Sequence, residues 1–441
     1  MHLYLALTLQ ALWCGACRAA MQHYPAAWGH YDVCKSQVYS DEGLTWDYMA
    51  CQPEAADMTQ YLKVTLDPPN ITCGDPPETY CALENPYMCN NECDATTEEL
   101  AHPPELMFDT EGRNPTTFWQ STSWKRYPKA LLVNITLSWN KTIELTDDIV
   151  LTFESGRPEQ MVLEKSLDYG RSWQPYQFYA TDCLDAFTME PKTVQDLTQH
   201  TLLDIICTEE YSRGYVWKYD KTVRFEIKDR FALFAGPRLH NMASLYGQLD
   251  TTKNLRDFFT ITDLRIRLLR PATGATMVDE NNLSRYFYAI SDIKVQGRCK
   301  CNLHANSCVF DKEKLSCECE HNTTGPDCGR CKRNYQGRAW SAGSYLPIPK
   351  GTANICVPNN IGPVTRVCDN ELMRCQNGGA CVNNVRCSCP PAYAGLLCER
   401  RRCETELGGC RGADSGAAGP PPCAVDPPLL LLLLLLGSTL L

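Results

Sequence analysis

Two short clusters in this chain have residue types and spacings that could do chemistry. Cys328-Gly-Arg-Cys331 has the spacing of a redox-active dithiol, but no βαβ pattern surrounds it and both cysteines have places in a larger cysteine frame. Ser166-Leu-Asp168-Tyr-Gly170-Arg-Ser-Trp173 matches the Asp-box, a hairpin motif of carbohydrate-cleaving propellers. The same residues are what a tight turn needs, with Asp168 bonded to backbone amides, Gly170 at positive φ and Trp173 packed beneath. A propeller repeats the box once per blade, whereas here it occurs once, so a structural turn is expected. There is no Gly-x-Ser-x-Gly elbow, no His-Glu-x-x-His pair and no phosphate-cradling glycine loop. No catalytic residue is assigned, and an enzyme is not expected.

The remaining cysteines carry structure. The chain of 441 residues has 27, of which Cys14 and Cys17 lie in or beside an apolar N-terminal run and Cys423 lies in the C-terminal tail. Leu3 to Trp13, followed by Gly15, Ala16, Ala19 and Ala20, reads as a signal peptide over 1–17, cleaved between about Ala16 and Ala20. The chain is then secreted, and its cysteines read as disulfides. Twenty-four remain between Cys34 and Cys410: eight from Cys34 to Cys207, eight from Cys299 to Cys356, six from Cys368 to Cys398, then Cys403 and Cys410. Each group is even, so each can close its own bridges.

The C-terminus reads as a glycolipid-attachment signal. Small residues Ser415, Gly416, Ala417 and Ala418 precede a spacer, Gly419 to Pro428, and an apolar tract from Leu429 to Leu441. A tract of 13 residues is too short for the roughly 20 that a membrane-spanning helix needs. Residues 400–418 are expected as a linker to the membrane, with 419–441 removed. The net charge of −10 disfavours capture of heparin, and no nucleic-acid partner is expected.

These ends frame a large domain over 18–297, long enough to bury its own core. Its periodicity is that of strands. In Leu131 to Trp139, Val133, Ile135, Leu137 and Trp139 alternate with polar or exposed positions, Asn134 among them. Similar runs occur at Tyr61–Leu66, Ile143–Phe153, Thr201–Cys207, Val223–Phe234, Phe258–Leu269 and Tyr286–Val295, which predicts a mainly β antiparallel sandwich. Glycosylation sequons start at Asn70, Asn134, Asn140, Asn282 and Asn322. The Pro69–Met88 segment is rich in proline and cysteine and offers Tyr80 and Tyr87 as aromatic anchors for a partner.

The frame Cys299-x-Cys301-x6-Cys308-x8-Cys317-x-Cys319-x8-Cys328-x2-Cys331-x24-Cys356, with its Thr324-Gly-Pro-Asp-Cys328 turn, resembles the laminin-type EGF module. That resemblance covers 298–357 and implies Cys299–Cys308, Cys301–Cys317, Cys319–Cys328 and Cys331–Cys356. After a linker over 358–366, residues 367–399 resemble a plain EGF module paired Cys368–Cys381, Cys375–Cys387 and Cys389–Cys398. Thr365-Arg-Val367 stands where calcium-binding EGF modules carry acidic residues, so no metal is expected there.

Longer strings carry a closer resemblance. Trp28-Gly-His-Tyr-Asp-Val-Cys34, Thr72-Cys-Gly-Asp-Pro-Pro-Glu78, Phe118-Trp-Gln-Ser121, Leu167 to Tyr176 and Tyr286-Phe-Tyr-Ala-Ile-Ser-Asp292 resemble the laminin N-terminal domain of the netrin-G (laminet) family, nearest the second of its two paralogues. A single laminin-type repeat marks the chain as similar to a short splice form. The resemblance implies a jelly-roll sandwich with Cys34–Cys51, Cys73–Cys93, Cys81–Cys89 and Cys183–Cys207 bridged. It also implies a GPI-anchored adhesion ligand on axons, active in axon guidance, neurite outgrowth and synapse organisation, whose partners are leucine-rich-repeat transmembrane receptors called netrin-G ligands. The partner face it implies joins Asp75, Glu78, Tyr80, Glu84, Tyr87 and Met88 to Thr201, Leu202 and Leu203 and to Leu264, Arg265 and Arg267. A structural Ca²⁺ is implied at Asp109, Thr117, the Leu106 carbonyl and Ser291, oxygen donors that suit a hard cation. The alternatives are a laminin-like matrix-assembly protein, which would need a heptad stalk that the chain lacks, and a carbohydrate-active enzyme, which would need a second polar cluster converging on one pocket.

Overall fold

The computed structural model describes residues 21–401 except 27–28, 41–42, 49–50, 83–84, 86, 110–114, 213–220, 236–248, 275, 346–353, 360–367, 369–373, 383–385, 395–396 and 399. The expected signal peptide, the anchor residues 415–418 and the last two grouped cysteines lie outside the described residues.

A backbone meander opens the chain, with β1 (Met21–Ala26), β2 (Gly29–Ser40) and β3 (Gly43–Tyr48) paired antiparallel. Then follow β4 (Ala56–Asp57), β5 (Lys63–Asp67), the short hairpin of β6 (Glu78–Tyr80) and β7 (Asn91–Cys93), and β8 (Trp119–Gln120). The long strand β9 (Val133–Leu145) leads to β10 (Ile149–Phe153), β11 (Gln160–Ser166) and β12 (Gln174–Ala180). β13 (Cys207–Thr208), β14 (Thr222–Phe225), β15 (Thr260–Arg270), β16 (Ala289–Lys294) and β17 (Gln296–Cys299) complete the domain.

Two sheets form the sandwich. One runs β13-β12-β11-β15-β9-β17-β4 with β5 also on β9, and the other runs β14-β10-β16-β8. All their pairings are antiparallel but β12 with β13. β9 alternates over its whole length, with Val133, Ile135, Leu137, Trp139, Ile143 and Leu145 buried. Each such side chain removed from water stabilises by about 1.5–3 kcal/mol before entropy is counted. Buried tryptophans find acceptors for their indole N–H: Trp139 donates to the Met58 carbonyl at 2.8 Å and Trp119 to Thr72 Oγ1 at 3.0 Å.

Three expected strands are corrected, the first being Ile143–Phe153, which divides at 146–148 between the end of β9 and β10. Thr201–Cys207 is a turn and loop before β13, because Leu202 and Ile206 dock into different apolar clusters rather than along one sheet face. Val223–Phe234 splits into β14 and the helix Ile227–Ala235. Ile227 and Arg230 are buried at helical spacing, and the Lys228 amide donates to Asp148 Oδ1 at 3.0 Å in the first turn.

Ten bridges form among the described residues: Cys73–Cys93, Cys81–Cys89, Cys183–Cys207, Cys299–Cys308, Cys301–Cys317, Cys319–Cys328, Cys331–Cys356, Cys368–Cys381, Cys375–Cys387 and Cys389–Cys398. Cys51 is disulfide-bonded too, and the side chain of its expected partner Cys34 is outside the described residues. Cys328 and Cys331 belong to different bridges, which removes the redox pair. The sandwich core continues without a break into the first cysteine-rich module through Cys299, Cys301, Ala305, Leu315, Cys317 and Cys328.

Candidate partner-binding face and cation site

The stapled loop is built on the β6–β7 hairpin, whose ends are joined by Cys73–Cys93 and whose tip is closed by Cys81–Cys89. Gly74 at φ +103 lets the chain turn here, since a Cβ would sit 2.5 Å from the Ala95 nitrogen. Across the tip the Ala82 amide donates to the Met88 carbonyl at 2.8 Å, and the Met88 amide to Asn85 at 2.9 Å. Tyr87 is 80% exposed and Met88 54%, an unusual display of apolar surface on a covalently tied loop. Asp75 is exposed at the loop's start, and Glu84 lies outside the described residues.

Two residues expected at this face are structural instead. Tyr80 is buried, its ring 5.3 Å from Phe287 and 6.0 Å from His102, both edge-on. The Glu78 side chain is only 6% exposed, accepting from the Ser123 amide at 3.1 Å and pairing with Lys125 at 2.5 Å. Both point back from the hairpin and tie it to the sandwich.

The other two segments divide in the same way. Leu202 is buried in the core, while Thr201 and Leu203 are half-buried. The Leu202 and Asp204 carbonyls accept from Arg230, whose side chain is fully buried over the Phe225 and Phe258 rings. Leu264 is fully buried, because strand alternation that turns Arg265 and Arg267 outward turns Leu264 inward. Both arginines pair with Glu164 on β11, and Arg265 stacks 4.2 Å above the Trp173 ring. The three segments are held by separate sets of contacts, so the sequence-based face shrinks to its exposed members.

The Asp-box is a turn. Asp168 Oδ1 accepts from the Ser172 amide at 2.9 Å and from Ser166 Oγ at 2.8 Å, and Ser172 Oγ donates to Oδ2 at 2.6 Å. These serine and amide hydrogen bonds pull the Asp168 carboxyl down to about 2, so it holds no proton to give at neutral pH.

Of the expected cation ligands, Asp109 and Thr117 meet directly, Thr117 Oγ1 donating to Asp109 Oδ2 at 2.7 Å. Leu106 sits in the helical turn Pro104–Met107, which packs through buried Met107 against β16, the strand of Ser291. Ser291 Oγ spends its proton on a long contact to the Thr152 carbonyl, 3.4 Å. Among the described residues, the cluster of Cys368, Cys375 and Cys387 in the plain EGF module consists of bridged cysteines.

Sequence signal for other site residues was absent. Arg285 places its guanidinium 5.8 Å from the Tyr87 ring centroid, and Arg230 anchors the 201–204 segment. Each acts across a distance in sequence that no local motif records.

The laminin N-terminal (Domain VI) family matches residues 51–297, and the laminin EGF domain family matches 299–344. Human Netrin-G1 is 59% identical over 521 positions, covering 95% of this chain and 96% of the relative. The 521 positions exceed the 441 residues of the chain, so the relative contains sequence that this chain lacks. Mouse Netrin-G2 is 60% identical over 332 residues, covering 75% of this chain and 56% of that protein. Human laminin subunit gamma-3 is 33% identical over 342 residues, covering 75% of this chain and 20% of that protein. A jelly-roll sandwich fused to a laminin-type EGF module defines the class as laminin-type adhesion heads. Human Netrin-G2 is 47% identical over 86% of this chain, against 59% over 95% for human Netrin-G1, so the expected nearness to the second paralogue is corrected in favour of the first. The chain belongs to the netrin-G family and is a laminin-like adhesion ligand. No helix among the described residues is long and apolar enough to cross a membrane.

Proposed function

We propose that this chain is a GPI-anchored ligand on the axon surface that binds leucine-rich-repeat transmembrane receptors of the netrin-G-ligand type, and thereby serves axon guidance and synapse organisation. The observation that carries this reading is the pair Tyr87 and Met88, exposed on a loop already fixed by two bridges. Such a loop loses little freedom on docking, and tyrosine is a favoured interface anchor. The concave sheet of a leucine-rich repeat suits a protruding rigid loop. Thr201, Leu203, Arg265 and Arg267, all part-exposed, offer the remaining contacts.

The experiment is binding of the soluble head to a panel of leucine-rich-repeat ectodomains. Tyr87→Ala should weaken the interaction by more than tenfold, about 1.4 kcal/mol, with unchanged secretion. Equal binding by the variant would place the interface elsewhere. Anchoring through one of residues 415–418 is tested separately: phosphatidylinositol-specific phospholipase C should release the protein from cells, and retention after full digestion of a control anchor would refute it.

The calcium reading belongs to the same proposal. Asp109 would supply a carboxylate, Thr117 and Ser291 hydroxyl oxygens and Leu106 its carbonyl. The contact of Asp109 with Thr117 supports it, because the hydroxyl that now donates to the carboxylate can turn its lone pair to a cation.

A further inference from the structure

We propose that an N-linked glycan on Asn282 stands at the foot of the stapled loop and restricts a receptor's access to Tyr87 and Met88. This rests on the reading that the loop meets the receptor. The segment Asn282–Arg285 backs the loop from far along the chain. The Cys81 amide donates to the Ser284 carbonyl at 3.2 Å. The Asn282 side-chain oxygen lies 3.3 Å from Cys81 Sγ and 3.6 Å from Cys89 Sγ. Arg285 then reaches over the Tyr87 ring.

Asn282-Leu-Ser284 is a complete sequon. Asn282 is half-buried and closes a surface turn, its amide donating to the Asp279 carbonyl at 3.0 Å. The side-chain amide nitrogen of Asn282 is the atom that accepts sugar. Transfer forms a bond from that nitrogen to C1 of the first N-acetylglucosamine. It breaks the C1–O bond to a lipid-pyrophosphate oligosaccharide donor of the secretory pathway, releasing the lipid pyrophosphate and one amide proton. The bulky, solubilising chain so attached fills space beside a loop whose bridges prevent it from moving away.

Ser284 provides the cleanest test, since the loop uses its backbone carbonyl and not its hydroxyl. Ser284→Ala removes the sequon and Ser284→Thr keeps it. Peptide mapping of the secreted head should find glycan on Asn282 in the wild type and in Ser284→Thr, and none in Ser284→Ala. Association with a leucine-rich-repeat ectodomain should be several-fold faster for Ser284→Ala alone, at equal melting temperature. An unmodified Asn282 overturns the proposal. So do equal association rates for the two variants where Tyr87→Ala still weakens binding. If Tyr87→Ala binds like wild type, the loop reading itself has failed and takes this inference with it.

Discussion

Lys141 of the sandwich buries its side chain completely and pairs with Asp327 of the first cysteine-rich module. The ammonium takes an inward position of β9, where an apolar residue would otherwise continue the alternation. Burial lowers its pKa and Asp327 opposes that shift. The site is otherwise satisfied: Lys141 also donates to the Lys300 carbonyl at 3.0 Å, Thr142 Oγ1 donates to Asp327 Oδ2 at 3.1 Å, and Asn302 to the Asp327 carbonyl at 2.8 Å. The Thr324-Gly-Pro-Asp-Cys328 turn, read from sequence as a module signature, is therefore also the contact that joins module to sandwich.

Asp327→Ala should destabilise the head by about 3 kcal/mol, because it strands a buried ammonium without its counter-charge. Lys141→Met in the same background should recover most of the loss. Urea unfolding of the four proteins measures this, and a fully additive double mutant would show that the pair is not coupled.

Acid should loosen the same module. His304 Nε2 lies 2.8 Å from the Ser341 carbonyl, so that nitrogen carries the proton, and Nδ1 is left to accept from His321 Nδ1 at 3.1 Å. Burial pushes the His304 pKa down to about 4, against the weaker upward pull of the Ser341 carbonyl, with Arg338 adding repulsion. The unfolded chain binds its proton near 6.5 and the folded one near 4, so the unfolded state holds more protons between them. Stability should fall as pH drops through that window, by about 3 kcal/mol in all. His304→Gln should flatten the slope of unfolding free energy against pH, and an unchanged slope would assign the effect to other groups.

Tyr80 and Tyr87 should behave oppositely although they share one loop. Tyr80→Ala empties a packed aromatic cluster and should cost about 3 kcal/mol of stability. Tyr87→Ala should leave the melting temperature within error, since its ring is in water. Melting curves of the two variants decide the matter.

Asp109→Ala should abolish any difference in melting temperature between calcium and chelator, because the proposed site loses its charged ligand. Identical curves for the wild type in both conditions, together with no metal in elemental analysis of the purified head, would remove the site.

Local patterns were readable wherever one strand or one module supplied the answer. The alternation from Val133 to Trp139 placed those side chains correctly, and the pairing that the laminin-type resemblance implied for 299–356 is the one that forms. The apolar run at Val223–Phe234 was ambiguous because short runs do not distinguish strand from helix, and the capping contact from Asp148 that starts the helix comes from 80 residues away. Leu264 and Leu202 sit beside part-exposed Arg265, Thr201 and Leu203, but the periodicity that turns Arg265 outward is the same that sends Leu264 into the core. Lys141 and Asp327 are 186 residues apart, and nothing local to either announces the other.

The nested bridges of the stapled loop have a mechanical consequence. A pull on Tyr87 enters a ring closed by Cys81–Cys89 and passes to a second ring closed by Cys73–Cys93. Beside Cys73, Thr72 bridges to Ser121, and the Cys73 amide holds the Gln120 carbonyl of β8 at 3.1 Å. A load on the loop tip thus reaches Cys73 through covalent links, beside the hydrogen bond that ties it to the edge of the four-stranded sheet. The loop tip cannot be reeled out as slack chain while its cystines are intact, and a reductant would turn a stiff projection into a yielding one.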